Sequence, residues 1–347
     1  MADWLQRMHA GPAPVLSADT PSGLNADTGV LARNFLAPAG GPDSGTRRLC
    51  LSLLTLKPGL FTAQGRDAAG ELWFDDLDAM PGAGRPTARL PGEPPTLPRP
   101  HNSHKGSYGD VAVIGGAPGM AGAALLAATA ALHAGAGRVY VAPLDAALAP
   151  LDTAQPELMF RPLDALDLAA MAVVCGCGGG TAVRDALPRV LQAAQALVLD
   201  ADALNAIAAD GALQMLLATR APSLRPTVLT PHPLEAARLL GTGTAEVQAD
   251  RLRAAQELAE RFGATVVLKG SGTIVATAGK VPVINTTGNA RLATAGTGDV
   301  LAGMIGAALA AGRPAMAASC DAVWRHGDLA DRWPASVPLT AGALARG

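Results

Sequence analysis

Aromatic residues are nearly missing from this chain: five Phe, four Trp and two Tyr among 347 residues. So few rings argue against a surface that recognises nucleic acid by stacking on bases. Charge does not compensate, because 27 Lys and Arg stand against 29 Asp and Glu and the formal net charge is -2. An electrostatic nucleic-acid footprint is therefore not expected. Cysteines number only four, too few for a disulfide framework, and Cys175 and Cys177 have no second Cys or His pair at metal spacing nearby. They read as reduced packing residues of a cytosolic protein rather than as a zinc site. Uninterrupted apolar runs long enough for a membrane helix are also lacking. The nearest, 120–136, carries His133 and reads as a buried helix. The start, Met-Ala-Asp-Trp-Leu-Gln-Arg, has no apolar core behind a basic flank, so a secretory leader is not expected.

What the chain does have is apolar bulk, at 49% hydrophobic residues, and a length that favours two domains. Residues 1–80 form a first unit, with strands expected at 14–18, 49–56 and 72–74. Three short strands are too few to build an α/β layer alone. Residues 81–100 hold Pro81, Pro86, Pro91, Pro94, Pro95, Pro98 and Pro100, and read as an extended linker. In residues 101–347 strand and helix signals alternate. Strands are expected at 111–114, 139–142, 172–175, 197–199, 227–229 and 265–268, with a hairpin-like pair at 273–276 and 281–284. Helices are expected at 120–136, 187–194, 203–209, 234–240, 247–262, 299–311 and 314–331. Continuous apolar strands alternating with helices imply an α/β fold with a mainly parallel sheet covered on both faces, and ligands of such sheets bind beyond the strand carboxyl ends.

The polar clusters fall at those ends. Ile114 leads into Gly115 and Gly116, Cys175 into Gly176–Thr181, and Leu199 into Asp200-Ala-Asp202. Leu229 leads into Thr230-Pro-His-Pro-Leu-Glu235, and Leu268 into Lys269-Gly-Ser-Gly-Thr273. Neither glycine loop has a nucleotide-binding spacing, so each is also readable as a tight strand-to-helix turn. His232, fixed between two prolines, is a candidate ligand contact. Lys269 is costly to bury unpaired and should face phosphate or a carboxylate. Asp200 follows the same logic, and Asp202 is a candidate cap for the helix 203–209. The chain is organised around Ala295-Gly-Thr-Gly-Asp299, where a glycine loop runs into an apolar helix. Main-chain N–H groups and the helix start together suit phosphate. Asp299 among them is either an ordinary first-turn acid or a base that takes a proton from a hydroxyl attacking phosphorus.

These stretches, together with His104-Lys-Gly-Ser-Tyr-Gly109 and residues 119–137, resemble the NAD(P)H-hydrate dehydratase domain, a ribokinase-like three-layer α/β fold, across the whole of 101–347. Asp19-Thr-Pro-Ser-Gly-Leu-Asn25 and Leu56-Lys-Pro-Gly59 resemble the end of the NAD(P)H-hydrate epimerase domain fused ahead of it in bifunctional proteins, so residues 1–80 read as a partial remnant. The resemblance implies removal of water from the S epimer of hydrated NADH or NADPH, with ADP or ATP as co-substrate, magnesium on its phosphates and a homo-oligomeric state. It implies that Asp299 is the catalytic base and that the N–H groups of Ala295, Gly296, Thr297 and Gly298 form the anion hole. Lys269, Gly270, Ser271, Gly272, Thr273 and Gly298 are implied to line the nucleotide. Ala123 or Ala124, Gly178, His232 and Asp299 are implied to meet the hydrated dinucleotide. Ser22 matches a potassium ligand and Asp19 a substrate contact of the epimerase, but the partners of both belong to an N-terminal half that residues 1–13 do not supply, so epimerase activity is not expected. One departure lies at 288–292, Gly-Asn-Ala-Arg-Leu, where relatives often carry Pro-Gly-Met. A small-molecule kinase on the same fold, and a non-catalytic nucleotide-binding module, are the alternative readings.

Overall fold

The protein is described from a computed structural model that covers residues 4, 7, 8 and 11–347, except 33–46, 81, 83, 97, 149, 150 and 224. Most of the first ten residues, and Pro81 and Leu97 of the proline-rich segment, lie outside the described residues. Among those described, no helix is long and apolar enough to cross a membrane.

Two sheets form. Strands β1 (Val15–Ala18), β2 (Arg48–Leu53) and β3 (Glu71–Asp75) make a small parallel sheet in that order. The larger sheet has nine strands: β4 (Asp110–Gly115), β5 (Arg138–Pro143), β6 (Met159–Phe160), β7 (Ala172–Cys175), β8 (Ala196–Leu199), β9 (Thr227–Leu229), β10 (Thr265–Leu268), β11 (Ile274–Ala276) and β12 (Val283–Ile284). Their order is β12-β11-β10-β9-β8-β7-β4-β5-β6, parallel from β6 to β10, with β11 and β12 added antiparallel. Strand order reverses between β4 and β7, which opens the crevice of a doubly wound sheet there. The side chains of β7, β8 and β10 are buried along their whole length, as expected when helices cover both faces.

The helices Ala121–His133, Thr297–Ala310 and Ala315–Asp331 cover one face, and Val183–Ala193, Asp202–Ala208, Gly211–Ala218, Pro233–Leu240 and Arg251–Phe262 the other. Helix Thr297–Ala310 runs under the middle of the sheet against β4, β7 and β8. It lies so close to helix Ala121–His133 that a Cβ on Gly303 would come 2.0 Å from the Ala127 carbonyl oxygen. A helix in which seven of fourteen residues are Gly or Ala can sit this deep, and its start is thereby delivered to the strand carboxyl ends.

Several boundaries differ from the sequence expectation. The helix expected at 247–262 is two, Thr244–Ala249 and Arg251–Phe262. Asp250 breaks it, because its carboxylate caps the second by accepting from the Arg253 N–H at 3.0 Å. Asp202 is not the cap of its helix. It lies in the first turn, and its carboxylate accepts the Gly180 N–H at 2.8 Å, tying the glycine loop after β7 to β8. Helix Gly211–Ala218 had no expected counterpart. The proline-rich segment lies along the large domain: Arg89 bridges to β12, its N–H on the Pro282 carbonyl and its carbonyl accepting from Ile284 N–H, both at 2.9 Å, and Arg99 Nη2 donates to the Gly135 carbonyl at 2.7 Å.

The two sheets are joined at the end of β10. Thr62 Oγ1 and the Ala63 N–H donate to the Ser271 carbonyl at 3.2 and 3.3 Å. Arg251, 1% exposed, donates to Thr62 Oγ1 at 3.0 Å and to the Leu268 and Lys269 carbonyls at 3.2 and 3.1 Å. Burial without an acidic partner lowers its pKa to about 10, and these hydrogen bonds offset part of the cost of burying the charge.

Candidate active site

The strand ends bring Asp200, Lys269 and Asp299 together. Lys269 follows β10 and Asp200 follows β8; the Lys269 ammonium donates to Asp200 Oδ1 at 2.7 Å, and Thr230 Oγ1 donates to the same oxygen at 2.7 Å. Asp200 is 2% exposed. Burial works against the Lys269 charge, but the carboxylates of Asp200 and Glu235 outweigh it and hold its pKa above the usual lysine value. The expected partner of Lys269 is thus a carboxylate in the chain itself.

Asp299 sits in the first turn of helix Thr297–Ala310, its oxygen within 4.8 Å of both Asp200 and the Cys177 sulfur. Burial, then the charge of Asp200, raise its pKa to about 6. Cys177 is more than packing. Burial pushes its thiol well above the usual range, the two aspartates push the same way, and the protonated sulfur lies within 4.8 Å of the Asp299 and Asp200 carboxylates. Cys175, two residues earlier at the end of β7, is a packing residue with a pKa raised to about 12 by burial.

The N–H groups of Ala295, Gly296, Gly298 and Asp299 have no protein acceptor among the described residues, whereas that of Thr297 bonds the Thr294 carbonyl at 3.4 Å. Gly296, at φ 91°, takes the left-handed conformation that turns the loop into the helix. Four unspent donors at a helix start next to a lysine form an anion site. His326, which sequence reasoning missed, braces it: its Nε2–H donates to the Thr297 carbonyl at 2.9 Å, and burial lowers its pKa to about 4, so the ring is neutral. It comes from helix Ala315–Asp331, whose apolar spacing reads only as packing.

A cavity of about 690 Å³ opens from this corner. Lys269, Gly270, Ser271, Thr273, Thr297 and Gly298 line it, and its far wall is formed by Leu60, Phe61 and Arg66 of the first unit. Of the expected nucleotide residues, Gly272 does not line it. A Cβ there would come 1.8 Å from the Phe61 carbonyl oxygen, so Gly272 serves the junction between the two sheets. Asp299 is also absent from the lining and lies with Asp200 and Cys177. On that side Gly178 packs on Ala123, whose Cβ would be 2.9 Å from an added one. Ala123 is half-buried, whereas Ala124 is 0% exposed within the core, so of the two expected alanines only Ala123 can present its side chain to a ligand.

His232 is the N-cap of helix Pro233–Leu240. Its Nδ1 accepts from the Leu234 and Glu235 N–H groups at 3.1 and 3.3 Å, and Glu235 returns a bond to the His232 N–H at 2.8 Å. That fixes the proton on Nε2, in a side chain still 46% exposed. Burial lowers the His232 pKa, and Lys269 adds to the effect. Ser22 is exposed, and Asp19 is engaged by the Leu53 N–H at 3.0 Å and by Lys57, so neither joins the site.

One consequence concerns Gly298. A Cβ there would lie 3.2 Å from Lys269 Nζ, in the space between the ammonium and the helix start. Gly298→Ala is expected to keep its fold and melting temperature while losing on the order of 10²-fold in turnover, the cost of spoiling one anion-hole donor. Turnover within a factor of two of the parent would show that nothing reacts in this corner.

The model of the NAD(P)H-hydrate dehydratase family matches residues 111–344. The ADP-dependent (S)-NAD(P)H-hydrate dehydratase of Neisseria meningitidis is 44% identical over 254 residues, covering 71% of this chain and 84% of that protein. The bifunctional NAD(P)H-hydrate repair enzyme of Escherichia coli is 38% identical over 340 residues, covering 94% of this chain; the chain spans only 62% of that protein's length. Among crystal structures, the ADP/ATP-dependent NAD(P)H-hydrate dehydratase of Bacillus subtilis, co-crystallised with ATP and Mg2+, superposes with a TM-score of 0.59 at 33% identity, over 72% of this chain and 91% of that one. A ribokinase-like superfamily protein of Enterococcus faecalis superposes at 0.61 with 28% identity, over 72% and 88%. The fold is ribokinase-like, and the chain belongs to the NAD(P)H-hydrate dehydratase family.

Proposed function

We propose that this chain dehydrates the S epimer of hydrated NADH and NADPH, converting ADP to AMP and phosphate or using ATP in the same way. The observation that carries this reading is the juxtaposition of a carboxylate with a pKa of about 6 and four unspent N–H donors beside Lys269.

Hydroxide is a poor leaving group, so the ring hydroxyl must first be activated. Asp299 takes the hydroxyl proton as the oxygen attacks the terminal phosphorus, and the bond from that phosphorus to the nucleotide's bridging oxygen breaks. The N–H groups of Ala295, Gly296 and Gly298, with the Lys269 ammonium, hold the charge that develops on the transferring group. The ring nitrogen's lone pair then expels phosphate, and loss of a proton from the neighbouring carbon restores the double bond. Gly178, Ala123 and His232 present the dinucleotide from the Asp299 side, while Lys269, Gly270, Ser271 and Thr273 line the nucleotide.

Magnesium binds proteins through one or two carboxylates and otherwise through phosphates and water. The Asp200 carboxylate fits that pattern; Asp299 is reserved for the proton, and Cys177, kept protonated, does not fit. There the ion would neutralise phosphate charge.

Incubation with hydrated NADH and ADP or ATP should restore the near-ultraviolet absorbance of NADH and release free phosphate. A phosphorylated product with no gain in absorbance would point to a kinase instead. The pH dependence has a defined sign. Asp299 acts as a base only when ionised, so kcat/KM should fall about tenfold per unit below pH 6 and level off above it. A profile flat from pH 5 to 8, on the order of the range over which such a base must titrate, would remove Asp299 from the role.

A further inference from the structure

We propose that Arg66, carried by the small N-terminal sheet unit, is a nucleotide-binding residue that completes the nucleoside end of the cavity. This rests on the reading of that cavity as the adenine-nucleotide site. Arg66 lies outside the segment matched by the family model, which begins at residue 111.

The side chain is held for such a task. It rises from the short helix Gly65–Ala69, whose start is wedged against the chain at Gly59; a Cβ on Gly65 would come 1.6 Å from the Gly59 carbonyl oxygen. The segment is pinned to the end of β10 by Thr62 and Ala63, which both bond Ser271. From there Arg66 Nη2 donates to the Gly288 carbonyl at 2.9 Å, across 222 residues of sequence. That is the side chain's one hydrogen bond among the described residues. A guanidinium carries five N–H donors in a fixed plane, so most of its fork is unspent, and the half-buried side chain lines the cavity.

Its position selects the part of the ligand. The transferring phosphate belongs at the Lys269–Gly298 corner. Arg66 instead meets the loop carrying Gly288, where Leu60, Phe61, Leu292 and Val323 make the wall apolar. A planar cation above an apolar floor suits a purine ring, which it can cover face-on while donating to ring or ribose acceptors. The unit ahead of the catalytic sheet thereby takes part in nucleotide recognition.

The test is calorimetric titration of the full chain with ADP, and with pyrophosphate as a probe lacking the nucleoside, alongside steady-state kinetics. Arg66→Ala should weaken ADP binding and raise its KM about tenfold. Pyrophosphate binding, kcat at saturating ADP and the KM for hydrated NADH should be unchanged. Arg66→Gln keeps a donor for Gly288 and should show the same loss of affinity with the parent melting temperature, which separates ligand contact from folding. If the parent binds ADP and both variants bind it equally well, the proposal for Arg66 is overturned and the nucleotide site stands. If affinity for pyrophosphate falls in parallel with ADP, Arg66 serves phosphate and the nucleoside assignment is overturned. If the parent binds no ADP, the reading of the cavity fails and the proposal with it.

Discussion

Replacing Asp299 by Asn is expected to lower kcat by roughly 10³-fold while ADP affinity stays within a few-fold, because the main-chain donors that hold phosphate remain in place. The same variant should be more stable at neutral pH. The folded pKa of about 6 lies above the unfolded value of about 3.9. Stability tied to a raised carboxylate pKa is fully present below the unfolded value and is lost as pH rises through the folded one. At pH 7.5 the parent therefore carries the cost of a buried, ionised carboxylate beside Asp200, on the order of 3 kcal/mol from the gap between the two pKa values. Asn removes that cost, so its melting temperature should exceed the parent's at pH 7.5 and lose the advantage near pH 4. Undiminished turnover in Asp299→Asn would refute the mechanism, and a lower melting temperature at neutral pH would refute the electrostatic account of the site.

Lys269→Met should have the largest effect on folding. Asp200 is 2% exposed and would keep only the Thr230 hydroxyl as a side-chain donor. Breaking a buried pair from one side costs about 3–5 kcal/mol, visible as a large shift of the urea midpoint. The double variant Lys269→Met with Asp200→Asn should recover most of that stability and none of the turnover, since the charge that meets the phosphate is gone. Recovery of turnover in the double variant would mean that the pair is structural only.

How far this could be read in advance depends on sequence distance. All strands of the large sheet but β6 announce themselves as short apolar runs, and the polar residues that follow them made Asp200 and Lys269 legible as crevice residues, while Asp299 was legible from the glycine loop that runs into its helix. A costly buried lysine had to face a charge, but nothing local said that the charge was Asp200, 69 residues away. His326 and Arg251 left no signal, because each lies in a helix with ordinary apolar spacing and acquires its role from a carbonyl on another element. Cys177 was read as packing because its partner, Asp299, is far along the chain. Ala123 and Ala124 could not be separated until the helix's rotation against the sheet was known. The docking of Thr62 and Arg66 onto loops more than 200 residues on is a tertiary fact with no periodicity to betray it.

The Arg89 bridge to β12 has a consequence for solubility. An open sheet margin displays unpaired donors and acceptors that can recruit a strand from another molecule. Here the margin at β12 is already occupied by a stretch bounded by Pro86 and Pro91, neither of which can donate a main-chain hydrogen. At that point the sheet is sealed against edge-on growth, which leaves the two-residue β6 as the remaining margin of the large sheet.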